Sequence, residues 1–336
     1  DQARAFGYQE SQGFLPLRES IADYLAASGV HTDAERLQII SGAQQGIDIV
    51  ARALLDYGDC VFTETPTYPG AIAAFRSRGA KIIDIPLDEQ GMDIDILEEK
   101  LRCFRPKLVY LMPNIQNPTG ISYSLERRNR LMGLARYYNF FILEDDYISE
   151  LSYVNEALAP LKAIDRDDRV IYLKSFSKIF MPGLRLAFLT MPKQLAPRLL
   201  SVKHLADIST SGLTQRIFDI YLRRGIWQSH IDAIRQIYKM QFEFTATAVF
   251  RHLPAGVSVV MPRGGLSLWL KLPAKVSARA VVAAAREDGV LITDGGPFSP
   301  RPAADSWLRL SFATISLQEI DAGLQIIGQA IARQIN

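Results

Sequence analysis

Leu37-Gln38-Ile39-Ile40-Ser41-Gly42-Ala43-Gln44-Gln45-Gly46 opens on a short apolar run and turns through a serine and a glycine; an amphipathic stretch follows to Leu55, then a second apolar run, Cys60-Val61-Phe62-Thr63. Short apolar runs bounded by turn residues read as buried strands, and apolar residues at helical spacing between them as a covering helix. The same punctuation continues outward. A helix near Ala71 to Arg78 precedes a strand at Lys81 to Ile85, and a helix around Ile94 to Leu101 precedes a strand at Lys107 to Met112. A helix over Leu125 to Tyr138 leads to strands at Phe140 to Leu143, Val170 to Leu173 and Leu186 to Leu189. Strands alternating with helices predict an α/β fold with a mostly parallel central sheet and helices on both faces.

From about Gln194 the pattern changes to long helical segments, Thr214 to Arg223 and Ile231 to Phe250, which read as a connection between domains. Short strands at Val257 to Val260, Leu266 to Leu272, Val290 to Thr293 and Leu308 to Phe312 follow, with helices near Ala278 to Arg286 and Leu317 to Arg333. We therefore expect a large domain over residues 1–240, including the connecting helix, and a smaller C-terminal α+β domain over residues 241–336.

The 336 residues are 48% hydrophobic and 22% charged, and the 38 Lys+Arg nearly cancel the 36 Asp+Glu, leaving a formal charge of +2. That balance excludes a disordered, collagenous or coiled-coil chain and gives no dedicated basic surface for nucleic acid. Arg127, Arg128 and Arg130 read as a solvated helix face. Two cysteines, Cys60 and Cys103, and four histidines form neither a disulfide framework nor a metal-ligand cluster. No apolar run reaches the roughly 18–20 residues that span a bilayer, and no secretory signal is present, so a cytoplasmic location without membrane contact is expected.

The residues able to do chemistry fall at predicted strand ends. Asn117-Pro118-Thr119-Gly120 follows one strand and is by itself a turn signal. Asp145 lies in Glu144-Asp145-Asp146-Tyr147, an acid cluster at the carboxyl end of another, which is where open α/β sheets hold their ligands. Lys178, in Ser175-Phe176-Ser177-Lys178, follows a third, with Arg185 shortly after it. An asparagine, an acid, a tyrosine, a lysine and an arginine in one sheet fit an aldehyde cofactor bearing a pyridine ring and a phosphate: lysine for the Schiff base, acid for the ring nitrogen, hydroxyls and arginine for the phosphate. The Ser41–Gly46 turn would add backbone N–H groups at a helix N-terminus to the same phosphate.

These motifs, in this order and over about Tyr8 to Phe312, resemble the fold-type I pyridoxal 5′-phosphate family, the class I/II aminotransferase group. The resemblance implies that Lys178 is the Schiff-base lysine, Asp145 the partner of the pyridine nitrogen, and Asn117 and Tyr147 the donors to the ring hydroxyl oxygen. It implies that Tyr68, in Thr65-Pro66-Thr67-Tyr68-Pro69-Gly70, stacks on the ring, with Lys178, Asp145 and Tyr68 as the catalytic set. Ala43, Gln44, Ser175, Ser177 and Arg185 resemble the phosphate cup, with Ala43 limited to its backbone N–H. Tyr8 resembles the tyrosine that reaches the phosphate of a neighbouring subunit, which implies an obligatory homodimer. Arg309 resembles the arginine that grips a substrate α-carboxylate, beside Asn117.

Within that family, Glu144–Tyr153, Phe176–Arg185 and Thr210–Arg216 look most like the aminotransferase-like domain of MocR/GabR-type regulators of the GntR superfamily. The leading expectation is an effector-sensing, dimerising domain that forms an external aldimine between pyridoxal phosphate and a small amino compound. In that reading DNA is reached only through an upstream winged-helix module absent from this chain, whose start at Asp1 lies close before Tyr8. The alternative is a catalytically complete aminotransferase that passes an amino group from an amino acid to a 2-oxo acid. Thr293-Asp294-Gly295-Gly296-Pro297-Phe298 departs from the family's usual Pro-Gly pattern, and the extra acid at Asp294 suits a basic or dipeptide-like ligand.

Overall fold

The computed structural model describes residues 5–154, 159–301 and 305–335. After a first helix, α1 (Leu15–Ala26), the chain forms β1 (Leu37–Ile40), α2 (Ala43–Leu54), β2 (Cys60–Thr65), α3 (Pro69–Ser77), β3 (Lys81–Asp88) and a short return strand, β4 (Gly91–Met92). It continues through α4 (Ile94–Cys103), β5 (Pro106–Leu111), α5 (Leu125–Tyr138), β6 (Phe141–Asp146), α6 (Leu161–Ile164), β7 (Val170–Ser175) and β8 (Ala187–Thr190). Helices α7 (Ala196–Asp207), α8 (Gly212–Arg223) and α9 (Trp227–His252) lead to β9 (Ser258–Val260), β10 (Ser267–Lys271), α10 (Ala278–Glu287), β11 (Thr293–Asp294), β12 (Trp307–Ser311) and α11 (Leu317–Ile335).

The large sheet has the order β1-β8-β7-β6-β5-β2-β3-β4. Neighbours from β7 to β3 pair in parallel, each needing a crossover, while β8 runs against both β7 and β1, and β4 against β3. Helices α2, α3 and α7 cover one face around Ile47, Val50, Phe75 and Leu199; α4 and α5 cover the other around Leu97, Leu101, Leu131 and Ala135. Gly46 lets α2 press onto the sheet, since a Cβ there would sit 2.6 Å from Ile40 and 2.7 Å from Leu173. Capping follows local chemistry: Asp93 Oδ1 accepts from Asp95 N and Ile96 N at the start of α4, and Ser124 Oγ accepts from Arg127 N at the start of α5.

The second sheet, β11-β12-β10-β9, is antiparallel throughout and packs with α10 and α11 around Leu268, Leu270, Leu308, Phe312 and Ile331. Helix α9 enters the large module's core at Trp227 and Ile231 and the small module's core at Ala248 and Val249. At 1.5 Å per residue its 26 residues span about 39 Å without a break, and residue 240 lies inside it. Among the described residues no helix is long and apolar enough to cross a membrane, and no group of three or more His, Cys, Asp and Glu could hold a metal.

One expectation is corrected here. Arg128 does not belong to a solvated helix face: it is 1% exposed, and its guanidinium donates to Tyr123 O at 3.1 Å, Ala159 O at 2.9 Å, Pro113 O at 2.7 Å and Asn114 Oδ1 at 2.7 Å. Five fixed donors make arginine suited to gathering several loop acceptors at once. Arg127 is also mostly covered, donating to Met92 O at 2.6 Å and pairing with Asp88, while Arg130 lies toward solvent, paired with Asp95.

Candidate active site

Parallel strands deliver their carboxyl ends to one edge of the sheet, and the expected residues follow that rule. Ala43 and Gln44 open α2 beyond β1; Tyr68 precedes α3 beyond β2; Asn117 sits in the turn beyond β5; Asp145 is the last but one residue of β6, with Tyr147 just beyond the strand; Ser175 ends β7, with Ser177 and Lys178 beyond. Because β8 is reversed, Arg185, just before its start, returns to the same edge. Arg309 comes from β12 of the small sheet.

Alternation along β6 divides the acid cluster between two faces. Glu144, Asp145 and Asp146 are all buried. Asp145 Oδ2 accepts a hydrogen bond from Tyr110 OH at 2.7 Å, while Oδ1 is buried with no partner among the described residues. Burial pushes the Asp145 carboxyl up to about 7, against the opposing pull of the Tyr110 hydrogen bond. Across the sheet, Asp146 meets Lys174 Nζ at 3.0 Å, Tyr172 OH at 2.6 Å and Ser149 Oγ at 2.7 Å. Burial alone would raise the Asp146 carboxyl, but the Lys174 charge and these hydrogen bonds hold it below the usual carboxylate range.

The residues expected at a phosphate also converge. Gly42, with φ +101°, directly precedes α2, and a Cβ there would lie 2.4 Å from an Arg185 guanidinium nitrogen. Glycine at this position therefore lets a cation stand against the amino end of a helix, where amide N–H groups already favour an anion. Ser177 N donates to Ser175 Oγ at 3.3 Å, and Gln44 Nε2 donates to Gly70 O at 2.9 Å, tying this cradle to the loop that holds Tyr68. Burial raises the Tyr68 hydroxyl, the Asp145 charge raises it further, and Arg185 opposes both.

On the small-module side, Arg309 Nε is buried without a partner among the described residues, its guanidinium 5.9 Å from the Phe298 ring centroid. Burial lowers the Arg309 pKa, and nearby Tyr147 partly offsets this. Asn117 Oδ1 is likewise buried and unpaired. The Phe298 carbonyl accepts from Thr67 N at 2.8 Å, so a backbone bond joins the small module to the Tyr68 loop. Asp294 Oδ1 accepts from Gly296 N at 2.8 Å and so caps its own turn. Lys178 is exposed at the sheet edge, and Tyr8 is 88% exposed.

Two residues that the sequence did not point to at this site, Gln116 and Arg128, hold these groups in place. Gln116 Nε2 donates to Glu64 Oε2 at 3.0 Å and to Pro66 O at 2.7 Å, and its Oε1 accepts from Thr119 Oγ1 at 2.7 Å, so one side chain braces the turns of Tyr68 and Asn117. Arg128 binds both ends of the segment carrying Asn117. Its signal was visible in hindsight: 128, 131, 132 and 135 form an i, i+3, i+4, i+7 stripe whose other members are Leu131, Met132 and Ala135.

The family model for class I and II aminotransferases matches residues 1–327. The chain is 35% identical over 330 residues to the 2-aminoadipate transaminase of Thermus thermophilus, covering 97% of this chain and 82% of that protein. It is 31% identical over 331 residues to an uncharacterized HTH-type transcriptional regulator, YdfD, of Bacillus subtilis, covering 97% of this chain and 67% of that protein. The solved structure of LysN, an alpha-aminoadipate aminotransferase from Thermus thermophilus complexed with N-(5′-phosphopyridoxyl)-L-leucine, superposes with TM-score 0.94 at 34% identity, over 98% of this chain and 84% of that one. The residues present fit a phosphopyridoxyl group: an unpaired buried carboxylate oxygen, a lysine at the sheet edge, and a guanidinium against a helix start that a Cβ at Gly42 would obstruct.

Proposed function

Since this chain belongs to the class I and II aminotransferase family, with pyridoxal 5′-phosphate as cofactor, we propose that it captures the amino group of a small carboxylated amino compound on that cofactor. The observation that carries this reading is that Asp145 Oδ1, Asn117 Oδ1 and Arg309 Nε are among the buried polar atoms without a partner among the described residues. Buried polar groups are ordinarily satisfied, so open atoms on two residues at the carboxyl edge of the large sheet and on one from the small sheet support a polar ligand between them.

Once bound, the cofactor supplies an aldehyde that takes up an amino group and a protonated ring that withdraws electrons from the adjoining carbon. Lys178 would supply the amine that holds the cofactor and a base for the Cα proton of the amino compound. Asp145 would accept the ring N–H at Oδ1 and keep that proton in place. Asn117 and Tyr147 would hold the ring oxygen, Tyr68 would cover the ring face, and Ser175, Ser177, Arg185 and the amides of Ala43 and Gln44 would hold the phosphate. Arg309 would take the ligand carboxylate as a bidentate pair.

For the role this capture serves, we infer the effector-binding, dimerising domain of a MocR-type regulator in the cytoplasm. The likeness to YdfD over 97% of this chain supports it. Complete transamination is the second reading, favoured by the 35% identity to 2-aminoadipate transaminase and by a full set of groups for proton transfer. The deciding experiment follows the visible absorbance of the chain with pyridoxal phosphate as amino compounds are added with 2-oxoglutarate. A shifted band that then stays fixed supports the sensor. A spectrum that cycles while oxo acid is consumed supports the transaminase, and an identical band in Lys178→Ala would remove both.

A further inference from the structure

We propose that Tyr110 is a positioning residue for the cofactor's ring nitrogen, its buried hydroxyl fixing one oxygen of Asp145 so that the other is left to face the ring. The inference rests on the reading that Asp145 meets that nitrogen. Tyr110 lies in β5, wholly buried, with its ring edge-on against Phe75 of α3 at 5.7 Å and 67°. Phenylalanine would fill the same space and spare the chain a buried hydroxyl, which is unfavourable unless it is bonded. The hydroxyl is bonded, to Asp145 Oδ2 on the adjacent strand.

A carboxylate is free to present either oxygen until something holds one of them. The Tyr110 bond removes that freedom and favours the charged form, which is the form that a ring N–H needs. The other ionisable groups felt at Asp145 are Glu64 of β2, Tyr68 of the loop after it, Asp146 and Tyr147 beside it in the chain, and Lys174 of β7. Among the described residues, Tyr110 is the one whose side chain hydrogen-bonds to the carboxylate.

The test is Tyr110→Phe in the whole chain, with pyridoxal phosphate affinity measured by quenching of tryptophan fluorescence from mildly acid to mildly alkaline pH. We expect affinity to fall about 10- to 100-fold. The pH at which affinity changes should move upward, because Asp145 loses a bond that stabilises its charged form. In an Asp145→Asn background the same substitution should have little further effect, the sign of a coupled pair. The double variant also carries no buried charge at position 145, so it reports even if Tyr110→Phe alone folds poorly. Wild-type affinity with an unshifted pH profile, or an equal loss in both backgrounds, overturns the proposal. Failure of the unmodified chain to form a visible band with pyridoxal phosphate would instead refute the proposed function.

Discussion

Asp145 is buried with one oxygen unpaired, so in the cofactor-free chain its charge is unfavourable. Its folded pKa of about 7 stands above the unfolded value of about 3.9, so the folded state binds more protons than the unfolded one between those limits. Its contribution to stability is therefore full at low pH and declines as pH rises toward 7. Asp145→Asn should make the cofactor-free chain more stable at pH 8, by roughly 0.5–2 kcal/mol. The gain should shrink at pH 5, and urea unfolding at the two values checks it. At the other end of the site, Arg309→Gln should weaken a carboxylated amine by roughly 2–5 kcal/mol while leaving its decarboxylated analogue nearly unaffected. Calorimetric titration of the pair separates loss of the ion pair from general damage to the pocket. The sequence could single out these two residues because an acid after an apolar run and an arginine inside Leu308–Phe312 stand in the order of a known family's motifs. The support from Tyr110 was not, because a tyrosine inside an apolar run reads as core until the neighbouring strand is placed beside it.

At the scale of elements, β6 and β7 are joined by more than their backbone ladder. Asp146 and Lys174 are register partners, and Lys174 Nζ also donates to Ser149 Oγ at 3.1 Å and Glu150 Oε2 at 2.5 Å. Lys174→Met should cost roughly 3–5 kcal/mol, since it leaves the buried Asp146 carboxylate and the mostly buried Glu150 without their cation. Part of that loss should return as pH falls and the acids take up protons, which denaturant midpoints across pH will show. Arg128→Met should cost a similar amount by leaving the carbonyls of Tyr123 and Ala159 without their guanidinium donor, and it should loosen cofactor binding by freeing the Asn117 turn. Strand and helix positions in the large sheet were readable from periodicity, whereas Lys174 fell outside the expected strand, which was ended at Leu173. A lysine looks like a strand's end unless an acid on the next strand is known to face it. The reversed direction of β8 was equally hidden, since an apolar run does not state which way it points.

For the molecule as a whole, the question is where Tyr8 acts. It stands 88% exposed, and the dimer reading assigns it to the neighbouring subunit's phosphate. Mixing Lys178→Ala chains with Tyr8→Ala chains tests that assignment. If Tyr8 acts across the interface, each mixed dimer regains one intact cofactor site, and visible absorbance recovers toward about half of normal for that fraction. If Tyr8 acts within its own chain, every site in the mixture keeps one lesion and nothing recovers. The division of labour between modules matters here too, because Arg309 belongs to the small sheet while the cradle and Asp145 belong to the large one. On the proposed assignment ligand binding would draw on both modules, and the Thr67–Phe298 backbone bond is a direct tie between them at the Tyr68 loop.

The split of three consecutive acids across β6 sets a rule for how this protein can diverge. Point changes at the site alter one side chain and leave its neighbours facing as before. Loss or gain of one residue within β6 reverses every orientation beyond it, sending Asp146 toward Tyr110 and Asp145 toward Lys174. Descendants of this sequence can thus explore new ligands by substitution around the site, but the length of this strand is inherited intact or the site is lost.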